Sequence, residues 1–267
     1  MTIAADTDPR TGSSPTAGES AIALTDISVR FDIPTERIIS FKEYVLRRLM
    51  GGIERRELWA LRDIDLEVRS GEVLGVVGRN GAGKSTLLKI VSRVLQPTAG
   101  RVVLRGSVAP LLELGAGFHF DLTGRENVFL NAALLGHPRR TVEQRLGEVI
   151  DFSELADFID VPIRNYSSGM LARLGFAVAT MFRPDVLLVD EVLAVGDAAF
   201  QEKCLSRIRE FRARGTTILL VSHQATEIAA HCDRALWLER GRVAGIGATD
   251  DILAGYRSAL DLESTSE

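Results

Sequence analysis

The order of apolar and polar positions divides the chain into short buried runs and longer amphipathic stretches. Ala21 to Phe31 (AIALTDISVRF) alternates weakly and predicts an edge strand. ALRDIDLEV, from Ala60, predicts a second strand. The turn Ser70-Gly71-Glu72 then leads into an unbroken apolar strand, Val73 to Val77. Beyond it strand and helix patterns alternate: a helix over 84–95, short strands near 101–113, and helices filling roughly 122–183. Strand Val186–Val189, a helix over 198–213, strand Thr216–Val221, a helix near 224–231 and strand Ala235–Glu239 complete the series. This alternation predicts an α/β fold with a mainly parallel sheet covered on both faces, because parallel neighbours must be joined by crossovers. No internal repeat is visible, so one such unit is expected per chain.

The segments around this unit have other characters. Residues 1–20 are small, polar and proline-containing, and predict a disordered tail. An insertion helix is expected over about 35–50: Ile38, Ile39, Phe41, Val45, Leu46, Leu49 and Met50 recur at helical spacing until Gly51-Gly52 stops them. Its polar face carries Arg37, Lys42, Arg47 and Arg48 against Glu43. Such a basic amphipathic helix suits an anionic bilayer surface or a partner's helices, or else covers the subunit's own sheet. A domain is thus expected over 21–245, followed by a short helix and tail over 246–267.

Composition narrows the class. With 267 residues, 46% hydrophobic and 25% charged, the chain can bury a large core. A net charge of −4 argues against a nucleic-acid partner. Two cysteines without a CxxC pair support neither a disulfide framework nor a zinc site, and fit a reducing cytosol. No apolar run approaches membrane-span length, and the N-terminus lacks a signal-peptide pattern. The expectation is a cytosolic protein that touches a membrane only peripherally.

Gly78-Arg79-Asn80-Gly81-Ala82-Gly83-Lys84-Ser85 matches the phosphate-loop pattern G-x-x-x-x-G-K-[S/T], with an apolar strand before it and a helix after it. The glycines let backbone N–H groups surround phosphate oxygens, and the helix start adds a positive dipole end. Lys84 is expected at the β and γ phosphates of ATP, Ser85 on Mg2+, and Thr86 in the same nucleotide-binding turn. The strand Val186–Val189 ends in Asp190-Glu191. Carboxylates at the carboxyl end of a buried strand need a cation or a reacting group to meet. Asp190 is expected on the metal and Glu191 on the attacking water.

Between these motifs lies Tyr166-Ser167-Ser168-Gly169-Met170, opening the helix LARLGFAVATMF. With the phosphate loop and the acidic strand end, it resembles the signature of ABC ATPases, usually LSGGQ. The resemblance implies a P-loop NTPase (ABC ATPase) fold: a mainly parallel core sheet, an antiparallel β subdomain and a helical subdomain over about 120–183. It implies a homodimer in which the signature, Tyr166 to Met170, serves the partner's ATP. His223, just past TTILLVS, stands where the family has its switch histidine, and Asp197 where it has a dimer-interface aspartate. The family's adenine-stacking aromatic would be Phe31 or Trp59. Its metal-binding glutamine has no counterpart in LLELGAGFH, where Glu113 is the positional substitute.

YSSGM, DEVLAVGD and LLELGAGFH…LTGREN together resemble the subfamily that exports lipid-linked polysaccharides such as O-antigen, teichoic acid, capsule or galactan. The implied partners are two integral membrane permease subunits at the cytoplasmic face, with a lipid-linked glycan as cargo. The chain ends soon after its last expected strand, which resembles the shorter members without a carbohydrate-binding domain. Another ABC transporter ATPase is the alternative, but a small-solute importer would more often show LSGGQ and the glutamine. A soluble ABC ATPase of DNA repair or translation would more often carry two cassettes, a coiled coil or zinc cysteines.

Overall fold

Every residue of Val73–Val77 and of Val186–Val189 is buried, which a strand tolerates only when both of its faces are covered. The computed structural model, which describes Pro15 and residues 18–34, 55–112, 114–190, 196–222 and 224–264, shows what covers them. In chain order the first half contains β1 (Ser20–Pro34), β2 (Arg55–Arg69), β3 (Val73–Val77), α1 (Lys84–Val91), β4 (Ala99–Leu104), β5 (Val108–Leu111) and α2 (Gly124–Leu134). The second half contains α3 (Arg139–Ser153), α4 (Ser168–Ala179), β6 (Val186–Val189), α5 (Ala198–Ala213), β7 (Thr217–Val221), α6 (Ala225–His231), β8 (Arg234–Glu239), β9 (Arg242–Ala248) and α7 (Thr249–Ser264). The expected tail and the insertion helix lie almost wholly outside the described residues.

One sheet has the order β5-β6-β7-β3-β8-β9, parallel except for β9, which runs antiparallel to β8. The other is antiparallel, in the order β2-β1-β4. The two-residue period of each strand sorts its side chains between two cores. Leu74 and Val76 of β3, with Val186 and Leu188 of β6, face α1 and the antiparallel sheet, where they meet Leu87, Leu88, Ile90 and Val91. Leu187 and Val189 face the other way, onto α2 to α5. There Phe152, Phe176 and Phe200 pack ring to ring, with centroids 5.7 to 6.3 Å apart.

β1 is not an edge strand. It pairs with β2 on one side and β4 on the other, and its register shifts repeatedly, with Asp26 in the left-handed region at φ 52. Those bulges break the alternation that would have marked a doubly paired strand. β9, too, has no counterpart in the hydrophobic pattern. Its inward positions are Val243, Gly245 and Gly247, so the face it buries carries almost no side chains. The room is filled by α7: a Cβ added at Gly245 would stand 3.1 Å from Ile252 Cδ1. Ile252, Leu253 and Tyr256 of α7 close this side of the sheet against Val77, Ala235 and Trp237. Among the described residues no helix is long and apolar enough to cross a membrane.

Candidate functional site: a glycine-loop cavity and an exposed loop at a helix start

β3 ends at the place where strand order reverses, with β7 and β6 to one side and β8 to the other. Open α/β sheets bind ligands at such a carboxyl-end crevice. The chain leaves β3 through Gly78 at φ 153, where an added Cβ would lie 2.4 Å from the Leu238 carbonyl oxygen. It enters α1 through Gly83 at φ 106, where a Cβ would stand 2.7 Å from both the Ala60 oxygen and Leu61 Cδ2. At both positions only glycine fits the backbone and the space.

The loop between them closes on its own lysine. Lys84 is buried, and its Nζ donates to the carbonyl oxygens of Gly78 at 2.6 Å and Arg79 at 3.2 Å. α1 begins at Gly83 with no side-chain cap and no acid in its first turn, so its leading N–H groups and positive dipole end face outward. They face a cavity of about 370 Å³. Lys84, Ser85 and Thr86 line one side, Asp190 stands across it, and Leu58, Trp59 and Ala60 of β2 form a wall. Arg79, Asn80, Gly81 and Gly83 complete it, while Ala82 is buried behind. Asp190 follows β6, two strands from β3, so the fold brings together carboxylate and lysine that are far apart in sequence.

The two aromatic candidates separate. Trp59 pairs with Arg30 across the β1–β2 ladder, and the guanidinium of Arg62 sits 4.6 Å from its ring centroid. Phe31, paired with Leu58, is not among the residues lining the cavity. Glu113, Glu191 and His223 lie outside the described residues, but their neighbours are placed. Ser222, beside His223, is buried and donates to Glu227 at 2.7 Å. Leu114 and Gly115, beyond Glu113, press on α4 at Gly175, where a Cβ would come within 2.7 Å of the Gly115 nitrogen.

The signature loop stands at the start of α4. Ser167 N-caps that helix, accepting from the Met170 N–H at 3.2 Å; Ser167 and Ser168 are exposed, Gly169 and Met170 half-buried. Tyr166 differs from them. Its ring is buried, and its hydroxyl donates to the Phe158 carbonyl at 2.7 Å against Gly124. It anchors the loop from beneath, and burial raises its pKa further from the neutral range. Asp197 N-caps α5 through the Phe200 N–H at 2.9 Å, and that bond, with Arg173 nearby, holds its carboxyl below the usual range.

Sequence reasoning missed two supports. Asn127, fully buried, accepts from the His119 N–H and donates to the carbonyls of His119, Leu122 and Thr123, pinning the 119–123 loop. The legible signal was Thr123-x-x-Glu126, which forms a reciprocal capping box at the start of α2. Arg173, which joins α4 to Asp197, carries no comparable signal.

A sequence model of the family described as "ABC transporter" matches residues 61–194, half of the chain. The chain belongs to the ABC transporter family. This ATP-binding cassette is 51% identical over 208 residues to the O-antigen export system ATP-binding protein RfbB of Klebsiella pneumoniae, covering 78% of this chain and 85% of that protein. It is 37% identical over 235 residues to the teichoic acids export ATP-binding protein TagH of Listeria innocua, covering 88% of this chain and 69% of that protein. Among solved structures, its fold is similar to a dimeric ATP-binding cassette in a post-hydrolysis state with ADP and Pi. That match has a TM-score of 0.66 at 20% identity and covers 85% of this chain and 98% of the other.

Proposed function

We propose that this cassette is the ATP-hydrolysing subunit of a transporter exporting a lipid-linked polysaccharide. It would work as a homodimer beneath two integral membrane permease subunits, at the cytoplasmic face of the membrane. The observation carrying the catalytic part is the shared cavity, in which Lys84, Ser85 and Asp190 converge beside the uncapped start of α1. The likeness to the O-antigen and teichoic acid export subunits supports the cargo.

In this reading the glycine loop and the first turn of α1 hold the phosphates of ATP, and Lys84 swings from the Gly78 carbonyl to the β and γ oxygens. Trp59 supplies the aromatic face for adenine. Ser85 and Asp190 offer hard oxygen donors suited to magnesium, an ion that keeps phosphate and water oxygens as its other ligands. When bound, magnesium neutralises phosphate charge. Glu113 is proposed as a further oxygen donor, Glu191 as the group that orients the attacking water, and His223 as a contact to the γ-phosphate. Ser167, Ser168 and Gly169 present a second anion site, complementary to the partner's ATP because its N–H groups open a helix. Asp197 is proposed at the dimer interface.

Size-exclusion chromatography with ATP tests the reading. Glu191→Gln should bind ATP, lose turnover and accumulate as a dimer. Lys84→Ala should stay monomeric and bind ATP weakly. A Glu191→Gln variant that hydrolyses at the wild-type rate contradicts the assignment.

A further inference from the structure

Arg173 is a hub that the proposed chemistry does not use. It lies on the signature helix α4, and its guanidinium meets three other groups. It donates to Asp197 Oδ2 at 2.6 Å, forms a second short ion pair with Glu154, and sits 4.8 Å from the Phe200 ring centroid. Its side chain is only 18% exposed, against 51% and 62% for the two acids. Burial of the cation distinguishes this pair from ordinary surface ion pairs, which contribute little. A planar guanidinium addresses two carboxylates through a fixed fork of donors, a geometry that a lysine does not reproduce.

The partners belong to different elements. Glu154 closes α3 in a left-handed conformation at φ 59, and Lys203 of α5 braces it at 3.0 Å while donating to the Phe152 carbonyl at 2.9 Å. Lys203, then Arg173, hold the Glu154 carboxyl below the usual range. Asp197 does not need Arg173 to cap α5, because the Phe200 N–H already satisfies that role. The bond to Arg173 is therefore an added tie between α4 and the turn at 196–197. In sequence Asp197 follows Asp190, which lines the cavity, by seven residues.

We propose that Arg173 is a positioning residue that locks the signature helix to the Asp197 turn. The loop acting on the partner's nucleotide and the turn that opens α5 at Asp197 then move as one body. This rests on the homodimeric ATPase reading above.

The test is a double-mutant cycle on the full chain, with phosphate release for kcat and KM, a fluorescent ATP analogue for affinity, and a thermal melt. Arg173→Ala should lower kcat about tenfold or more while KM and analogue affinity change less than about twofold. Asp197→Asn, which keeps the N-cap oxygen, should lower kcat similarly, and the double variant should fall no further than the worse single one. Arg173→Lys should restore the melting temperature but not the rate, since charge alone does not reproduce the fork. Losses that multiply in the double variant, or that follow the melting temperature, would overturn the proposal. Should Arg173→Ala not fold, the cycle runs with Arg173→Lys and the same criterion. Lys84→Ala separates the two levels. If hydrolysis survives it, the assignment of ATP turnover to this cavity fails. If hydrolysis is lost there but Arg173 and Asp197 act independently, only the coupling fails.

Discussion

Gly147 and Gly175 both sit inside helices and should answer the same substitution with opposite signs. Gly147 is exposed on α3, with nothing within 4 Å of an added Cβ. Alanine there gains the helix propensity that glycine lacks, about 1 kcal/mol. Gly175 is buried on α4, and its Cβ would meet the Gly115 nitrogen at 2.7 Å, the Leu114 carbonyl carbon at 3.0 Å and Leu114 Cβ at 3.1 Å. Two of these atoms are backbone, so no rotamer change relieves the overlap. Overpacking of this kind costs about 1–3 kcal/mol, which outweighs the propensity gain. For a domain of this size 1 kcal/mol moves the melting temperature by about 2–4 °C. Gly147→Ala should therefore raise it by that amount and Gly175→Ala should lower it, read side by side by circular dichroism. Because Gly175 abuts the loop just beyond Glu113, Gly175→Ala should also lower kcat, and Gly147→Ala should not. If both variants melt higher by the same margin, the close approach of loop and helix is refuted.

Two further outcomes are expected. Trp59→Ala should weaken ATP binding about tenfold, the scale of one lost stacking contact, while Phe31→Ala should leave affinity unchanged in an analogue titration. Burial pushes the thiols of both Cys204 and Cys232 up to about 12, so N-ethylmaleimide near neutral pH should leave the folded chain unmodified and add twice after denaturation, by mass spectrometry.

What was legible in the chain follows from how each element is buried. β3 and β6 are unbroken apolar runs because both faces are covered, so their limits matched the structure at both ends. α5 opens at a capping aspartate and was equally plain. β1 misled because its bulges spoil the period, and β9 was silent because glycines occupy the positions that face inward. The glycine loop after β3 and the acid at the end of β6 were readable as patterns, and the fold brings both to one cavity. Tyr166 was grouped with the exposed signature. Its burial depends on Gly124 and the Phe158 carbonyl, which no local pattern announces. Arg173 was invisible for the same reason, because its partners come from two other elements, the end of α3 and the start of α5.

In the proposed function, ATP turnover in this cavity drives polysaccharide export. The most direct measurement replaces the wild-type gene with one encoding Lys84→Ala and quantifies surface polysaccharide against lipid-linked chains retained inside the cell. Surface polysaccharide should be lost, the lipid-linked precursor should accumulate, and a wild-type copy should reverse both. Surface polysaccharide at the wild-type level with Lys84→Ala as the sole copy would contradict the proposed function.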